Sequence, residues 1–233
     1  MNNLIKSLFF VRTCLGCGTA LPDAEEDTVF CQECFRRYAE LRNEECLICE
    51  KKMDECRCVP ENLRGRVFWS AHLFSYYGKL SKQIIFTLKM KNYRPLQRFL
   101  SKELADLILK ATGGDLSDYT IAFAPRSSKS VCLYGFDQAK ILAEFTAAQL
   151  NLPVEDIFCH AYFSKTQKRL KAFERKKNAK ASYSLKNHAC RRTDKLLIFD
   201  DIITTGSTLA ALVDLAEALG FREIAVVSVA KTG

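Results

Sequence analysis

Residues 196–209 read Leu-Leu-Ile-Phe-Asp-Asp-Ile-Ile-Thr-Thr-Gly-Ser-Thr-Leu. The four apolar residues 196–199 have the pattern of a strand buried on both faces, as in a parallel sheet. Asp200 and Asp201 are expected at its carboxyl end, followed by a hydroxyl-rich loop, Thr204, Thr205, Gly206, Ser207 and Thr208, and then a helix. Open α/β sheets bind their ligands outside the carboxyl ends of the strands. Backbone N–H groups of such a loop, and of the helix that it opens, favour a phosphate. Gly206 lets the backbone approach that phosphate, and the four hydroxyls add donors. The paired carboxylates would repel the same phosphate. They call for a neutral hydroxyl partner, such as the diol of a ribose, or for a cation.

The flanking sequence supplies the rest of an α/β domain. Strands are expected over residues 66–77, 119–124, 157–163 and 223–229, and helices over 78–91, 94–110, 136–150 and 206–219. Strands alternate with helices after residue 115, which implies right-handed βαβ crossovers in one parallel sheet. The strand at 119–124 ends in Pro125-Arg126-Ser127-Ser128. There a guanidinium fork and two hydroxyls suit a second phosphate contact.

The 233 residues, 48% hydrophobic and 27% charged, are those of an ordinary globular protein. No run is apolar for long enough to insert in a membrane. Residues 1–11 read as a short helix rather than a signal peptide, which points to the cytoplasm. The net charge of +8 is distributed in blocks. Residues 1–62 hold 8 basic and 12 acidic side chains, residues 63–102 hold 9 basic and none acidic, and residues 165–195 hold 12 basic and 2 acidic. Such blocks point to anionic partners at particular surfaces. Lys168, Arg169, Lys171, Arg175, Lys176 and Lys177 crowd the last block, with little beyond Leu170 and Phe173 to anchor it in a core. It reads as an arm that either closes over the phosphate site or tracks the backbone of single-stranded DNA.

Eight of the 11 cysteines fall in four close pairs: Cys14 and Cys17, Cys31 and Cys34, Cys46 and Cys49, Cys56 and Cys58. A Cys-x2-Cys knuckle sets two thiolates on one edge of a tetrahedron, and a second knuckle closes it. With no export signal, clustered thiols are metal ligands rather than disulfides. Two structural zinc sites of four thiolates are expected, with an iron–sulfur cluster as the alternative. Spacing leaves open whether neighbouring or interleaved pairs combine. The segment has too few large apolar side chains to fold on a core alone, so metal would supply the missing stability.

The stretch at 196–209 resembles the phosphoribosyl-pyrophosphate (PRPP) signature of type I phosphoribosyltransferases. The resemblance implies that Asp200 and Asp201 hold the ribose hydroxyls and act in catalysis. It also implies that residues 204–208 hold the 5′-phosphate, and Arg126, Ser127 and Ser128 the pyrophosphate, with Mg2+ arriving on PRPP. Several further strings narrow the likeness: Tyr76-Tyr77-Gly78 with Leu88-Lys89, Gly135-Phe136-Asp137-Gln138-Ala139, and Thr166-Gln167 followed by Leu170, Arg175 and Asn178. With the cysteine pairs, these resemble the ComF family, linked in bacteria to natural competence. Tyr134 and Asp137 stand where that family commonly has Arg and Asn, and the last cysteine pair is one residue short.

The resemblance implies a zinc-binding module over 1–60, a linker over 61–66 and a phosphoribosyltransferase-like domain over 67–233. It also implies a role in DNA uptake and a competence helicase as partner of the cysteine module. The phosphoribosyl acceptor is unknown. The alternative is a non-catalytic protein that binds single-stranded DNA, with PRPP as a regulatory ligand.

Overall fold

The computed structural model describes residues 12–21, 27–46, 48–53, 55–160 and 182–232. Residues 1–11 and the six basic residues from Lys168 to Lys177 lie outside these, so the expectations placed on them do too.

Four parallel strands form the sheet: β1 (Ser70–Ser75), β2 (Tyr119–Phe123), β5 (Lys195–Ile203) and β6 (Glu223–Lys231), in the order β1-β6-β5-β2. Side chains alternate across β5. Leu197 and Phe199 enter one core cluster, Leu196 and Ile198 the other, and all four are buried. Residues 196–199 of this central strand are therefore apolar without a break because both of its faces are covered. On the first face lie α2 (Gly78–Met90), α3 (Arg94–Thr112) and α5 (Gln138–Leu150). On the second lies α6 (Ser207–Leu219). This is a parallel sheet flanked by helices, with two four-cysteine groups at the amino end.

Three details differ from the sequence reading. β5 does not stop before the aspartates. Its pairing runs on through Asp200 with Ser228 to Ile203 with Lys231, because β6 extends equally far and supplies the partners. The strand expected at 157–163 does not join the parallel sheet. Val154 makes a single parallel bridge to Ile121 at the β2 edge, and the chain then turns away. β3 (Phe158–His160) pairs antiparallel with β4 (Tyr183–Leu185) in a sheet of their own. Ser128 opens a short helix, α4 (Ser128–Tyr134), where a turn was expected. The Ser127 hydroxyl caps it by accepting from the Ser130 N–H at 3.2 Å.

The amino-terminal region contributes α1 (Gln32–Asn43). Phe30 and Tyr38 stack at 5.6 Å, and Tyr38 meets Phe99 of α3 and Phe74 of β1 edge-on. Cys14, Val29, Phe30, Cys34 and Tyr38 belong to the same buried cluster as the sheet. Ion pairs from Asp27 to Arg98 (3.4 Å) and Lys102 (2.9 Å), and from Arg42 to Glu103, tie this region to α3. Residues 61–66 contain a single 3-10 turn (Glu61–Leu63), whose Leu63 is fully buried beside α6.

Candidate functional site

At the carboxyl end of β5, a small hollow of about 50 Å3 is lined by Asp200 and residues 202–209. Gly206 stands at φ +74°, the left-handed region open to glycine, and is the N-cap of α6. The Thr205 and Ser207 hydroxyls lie 2.8 Å apart on its rim. The loop residues thus meet where the sequence placed them, and Asp200 joins them.

Asp201 does not line this hollow. Successive side chains on a strand point to opposite faces, and Asp201 turns towards α2 and α5, where it is 4% exposed. Lys89 of α2 pairs with one of its oxygens at 3.3 Å, and the Gln138 amide of α5 donates to the other at 2.7 Å. Asp200 accepts from the Asp201 N–H at 2.8 Å. Burial, and then the charge of Asp201, hold the Asp200 carboxyl well above the usual carboxylate range, against that backbone bond and Lys89. Burial likewise raises Tyr183 of β4, which stands close enough to feel the Asp200 charge, while the nearby Thr208 side chain pulls the other way.

The turn after β2 opens beside this site, since the Ala124 N–H donates to the Phe199 carbonyl at 2.8 Å. The Arg126 N–H donates to Asp137 at 2.7 Å, and its guanidinium lies 4.3 Å from the centre of the Tyr134 ring. The buried Nη1 of Arg126 has no hydrogen-bond partner among the described residues. Asp137 also caps α5 by accepting from the N–H groups of Ala139 and Lys140. Lys89, Gln138, Asp137 and Tyr183 were not singled out from the sequence as site residues. Lys89, Asp137 and Gln138 stood inside strings that carry the family likeness, but only the fold brings them to the strand ends.

The cysteines gather as neighbouring pairs: Cys14, Cys17, Cys31 and Cys34 in one group, Cys46, Cys49, Cys56 and Cys58 in the other. Interleaving is thereby ruled out. Within each group the sulfurs lie within 4.8 Å of one another, and Cys17 and Cys31 are 3.7 Å apart. Tetrahedral zinc–thiolate bonds of about 2.3 Å put sulfurs about 3.8 Å apart, so both groups could hold zinc. The Cys31 N–H points at the Cys14 sulfur (3.2 Å) and the Cys58 N–H at that of Cys56 (3.4 Å). Thr19 lowers the Cys17 thiol to about 6, whereas burial and then the neighbouring thiols push Cys34 up to about 12. A Cβ on Gly16 would come within 2.6 Å of the Cys34 sulfur, so the first knuckle needs glycine there.

A larger cavity, of about 530 Å3, lies elsewhere, between the first cysteine group and α2. No described helix is long and apolar enough to cross a membrane.

Over 101 residues the chain is 35% identical to Competence protein F of Haemophilus influenzae. The match covers 42% of this chain and 43% of that protein, so it spans less than half of the relative's length. Over that stretch the two are homologues. No protein-family profile matches. Solved structures similar to this chain include a hypoxanthine phosphoribosyltransferase from Staphylococcus aureus (13% identity, TM-score 0.37, 58% of this chain and 62% of that one). Another is an adenine phosphoribosyltransferase from Leishmania tarentolae (10%, TM-score 0.34, 56% and 70%). A purine phosphoribosyltransferase from Pyrococcus horikoshii is a third (15%, TM-score 0.33, 57% and 81%).

Proposed function

We propose that the chain is a phosphoribosyltransferase-like protein that binds PRPP with Mg2+ and serves DNA uptake in natural competence. The observation that carries this reading is the meeting of Asp200 with the hydroxyl-rich loop 204–208 at the end of a central parallel strand. The loop, with its N–H groups and hydroxyls, takes the 5′-phosphate. Asp200 accepts from a ribose hydroxyl, and Asp201, fixed by Lys89 and Gln138, stands as the second acid. Their negative charge stabilises the positive charge that develops at the anomeric carbon as pyrophosphate leaves. Arg126, with Ser127 and Ser128, receives the pyrophosphate. Magnesium would come with PRPP, held mostly by the substrate's own oxygens and by water.

The competence role extends to this chain what the name of the Haemophilus influenzae relative says of that protein. In this reading the six basic residues between 168 and 177 meet single-stranded DNA by phosphate contact, and the cysteine module meets a competence helicase. The acceptor of the phosphoribosyl group is the open element.

Calorimetry with PRPP and Mg2+ tests the proposal. Asp200→Asn with Asp201→Asn removes charged acceptors whose bonds are each worth about 1.5–3 kcal/mol, so affinity falls about tenfold or more. Equal affinity in the wild type and the double variant refutes the assignment.

A further inference from the structure

The segment that leaves the second cysteine group runs directly under the phosphate loop. Asn62, four residues beyond Cys58, donates its side-chain amide to the Thr205 carbonyl at 2.7 Å, across 143 residues of sequence. Pro60 and Leu63 lie against Gly206: a Cβ placed there would meet the Pro60 Cβ at 3.2 Å and the Leu63 Cδ1 at 3.6 Å. None of these three residues lines the hollow of Asp200 and 202–209. They therefore contact the loop outside the hollow. In a trans peptide the C=O and N–H point opposite ways. With the Thr205 carbonyl held towards Asn62, the Gly206 N–H of the same peptide points away from it, as an anion-binding loop requires.

Both ends of this segment are tied to the sheet and its helix. At one end Lys231 of β6 donates to the Cys58 carbonyl at 3.3 Å. At the other, Arg66 pairs with Asp214 and, at 2.9 Å, with Glu217, both on α6. The side of the segment nearest the second cysteine group is shaped by that group, since Cys56 and Cys58 are two of its four thiols.

We propose that Asn62 is a positioning residue for the phosphate loop, and that residues 58–63 act as a strut through which the second four-cysteine centre holds that loop in shape for a phosphate. The ligand part of this inference rests on the PRPP reading above; the mechanical part does not. A metal-loaded centre fixes Cys56 and Cys58, the strut keeps Asn62 and Pro60 in place, and the peptides at 205–206 keep their orientation. Loss of the centre frees the strut, and the loop loses its support without any change in the residues that touch the ligand.

Three measurements on the full, zinc-loaded chain test it. The first is affinity for ribose 5-phosphate, which uses the loop. The second is affinity for magnesium pyrophosphate, which does not. The third is the rate of amide hydrogen exchange at 205–208, which needs no ligand. Asn62→Ala, and Asn62→Asp as a variant of equal size without the donor, should weaken ribose 5-phosphate roughly threefold to tenfold, the worth of one net hydrogen bond. Exchange at 205–208 should quicken and Tm fall by no more than a few degrees, while pyrophosphate affinity and zinc content stay as in the wild type. Cys56→Ser with Cys58→Ser should give the same split between the two ligands and the same faster exchange.

An Asn62→Ala chain with unchanged exchange and less than about a twofold change in ribose 5-phosphate affinity overturns the positioning role. So does equal weakening of both ligands, which marks general destabilisation. A double-cysteine variant that loses one zinc yet keeps the wild-type loop overturns the coupling. If the wild type binds neither ligand, the PRPP reading and the ligand part fall together, and the exchange rates alone decide whether the strut exists.

Discussion

Asp200 and Asp201 are neighbours in sequence with opposite surroundings. Asp201 is the more buried, yet Lys89 and Gln138 satisfy both of its oxygens. Asp200 opens to the hollow and forms no ion pair among the described residues, and burial and Asp201 raise its pKa. A carboxyl with a raised folded pKa gives stability that is full below the unfolded value, about 3.9, and lost as pH rises through the folded value. At neutral pH Asp200 therefore costs the fold free energy that a bound partner would offset, a trade common at binding sites. Asp200→Asn keeps the acceptor for the Asp201 N–H and removes the charge. Its Tm should exceed that of the wild type by a few degrees near neutral pH, with the gain vanishing near about pH 4. A scan of Tm against pH checks this, and a constant difference at all pH values contradicts it. The adjacent acids were legible in the sequence as a candidate site. Their division between two environments was not, because it depends on which face of β5 the helices α2 and α5 cover.

At the scale of elements, the connection from β5 to α6 does the positioning. Two observations constrain Gly206 independently: its φ of +74° and the closeness of Pro60 and Leu63. Gly206→Ala places an L side chain in the left-handed region, at about 1–2 kcal/mol, and drives its Cβ into the strut. Urea unfolding should show a loss of at least that size, and PRPP binding should fall with it. Stability equal to the wild type would mean that the loop relaxes freely. The helices at 78–90 and 94–112 came out close to their periodicity, since each sets one apolar face on the sheet. The strand at 158–160 carries no signal of which sheet it joins. Its partners at 183–185 lie more than 20 positions away in sequence, which local pattern does not encode.

At the scale of the whole molecule, the two cysteine groups are unequal. The first shares its buried neighbours with the sheet, through Phe30, Tyr38, Phe74 and Phe99, whereas the second has a small cluster of its own with Met53. Metal analysis should find about two zinc ions per chain. Cys14→Ser with Cys34→Ser should lower the Tm of the entire chain, and Cys46→Ser with Cys49→Ser should lower it less. Fewer than one zinc per chain, with both double variants melting as the wild type does, sinks this. The parallel strand at 196–199, the adjacent acids, the hydroxyl-rich loop after them and the eight clustered thiols were all readable from the chain alone, because each is a contiguous or closely spaced pattern whose chemistry is local. Tertiary structure decided the rest. It set neighbouring rather than interleaved cysteine groups, Lys89 and Gln138 on Asp201, and the 58–63 strut under the loop. The cysteine groups close over 20 and 12 positions, whereas the contacts of Asp201 and of Asn62 join residues 63 to 143 positions apart, which packing on the two faces of one sheet brings within bonding distance.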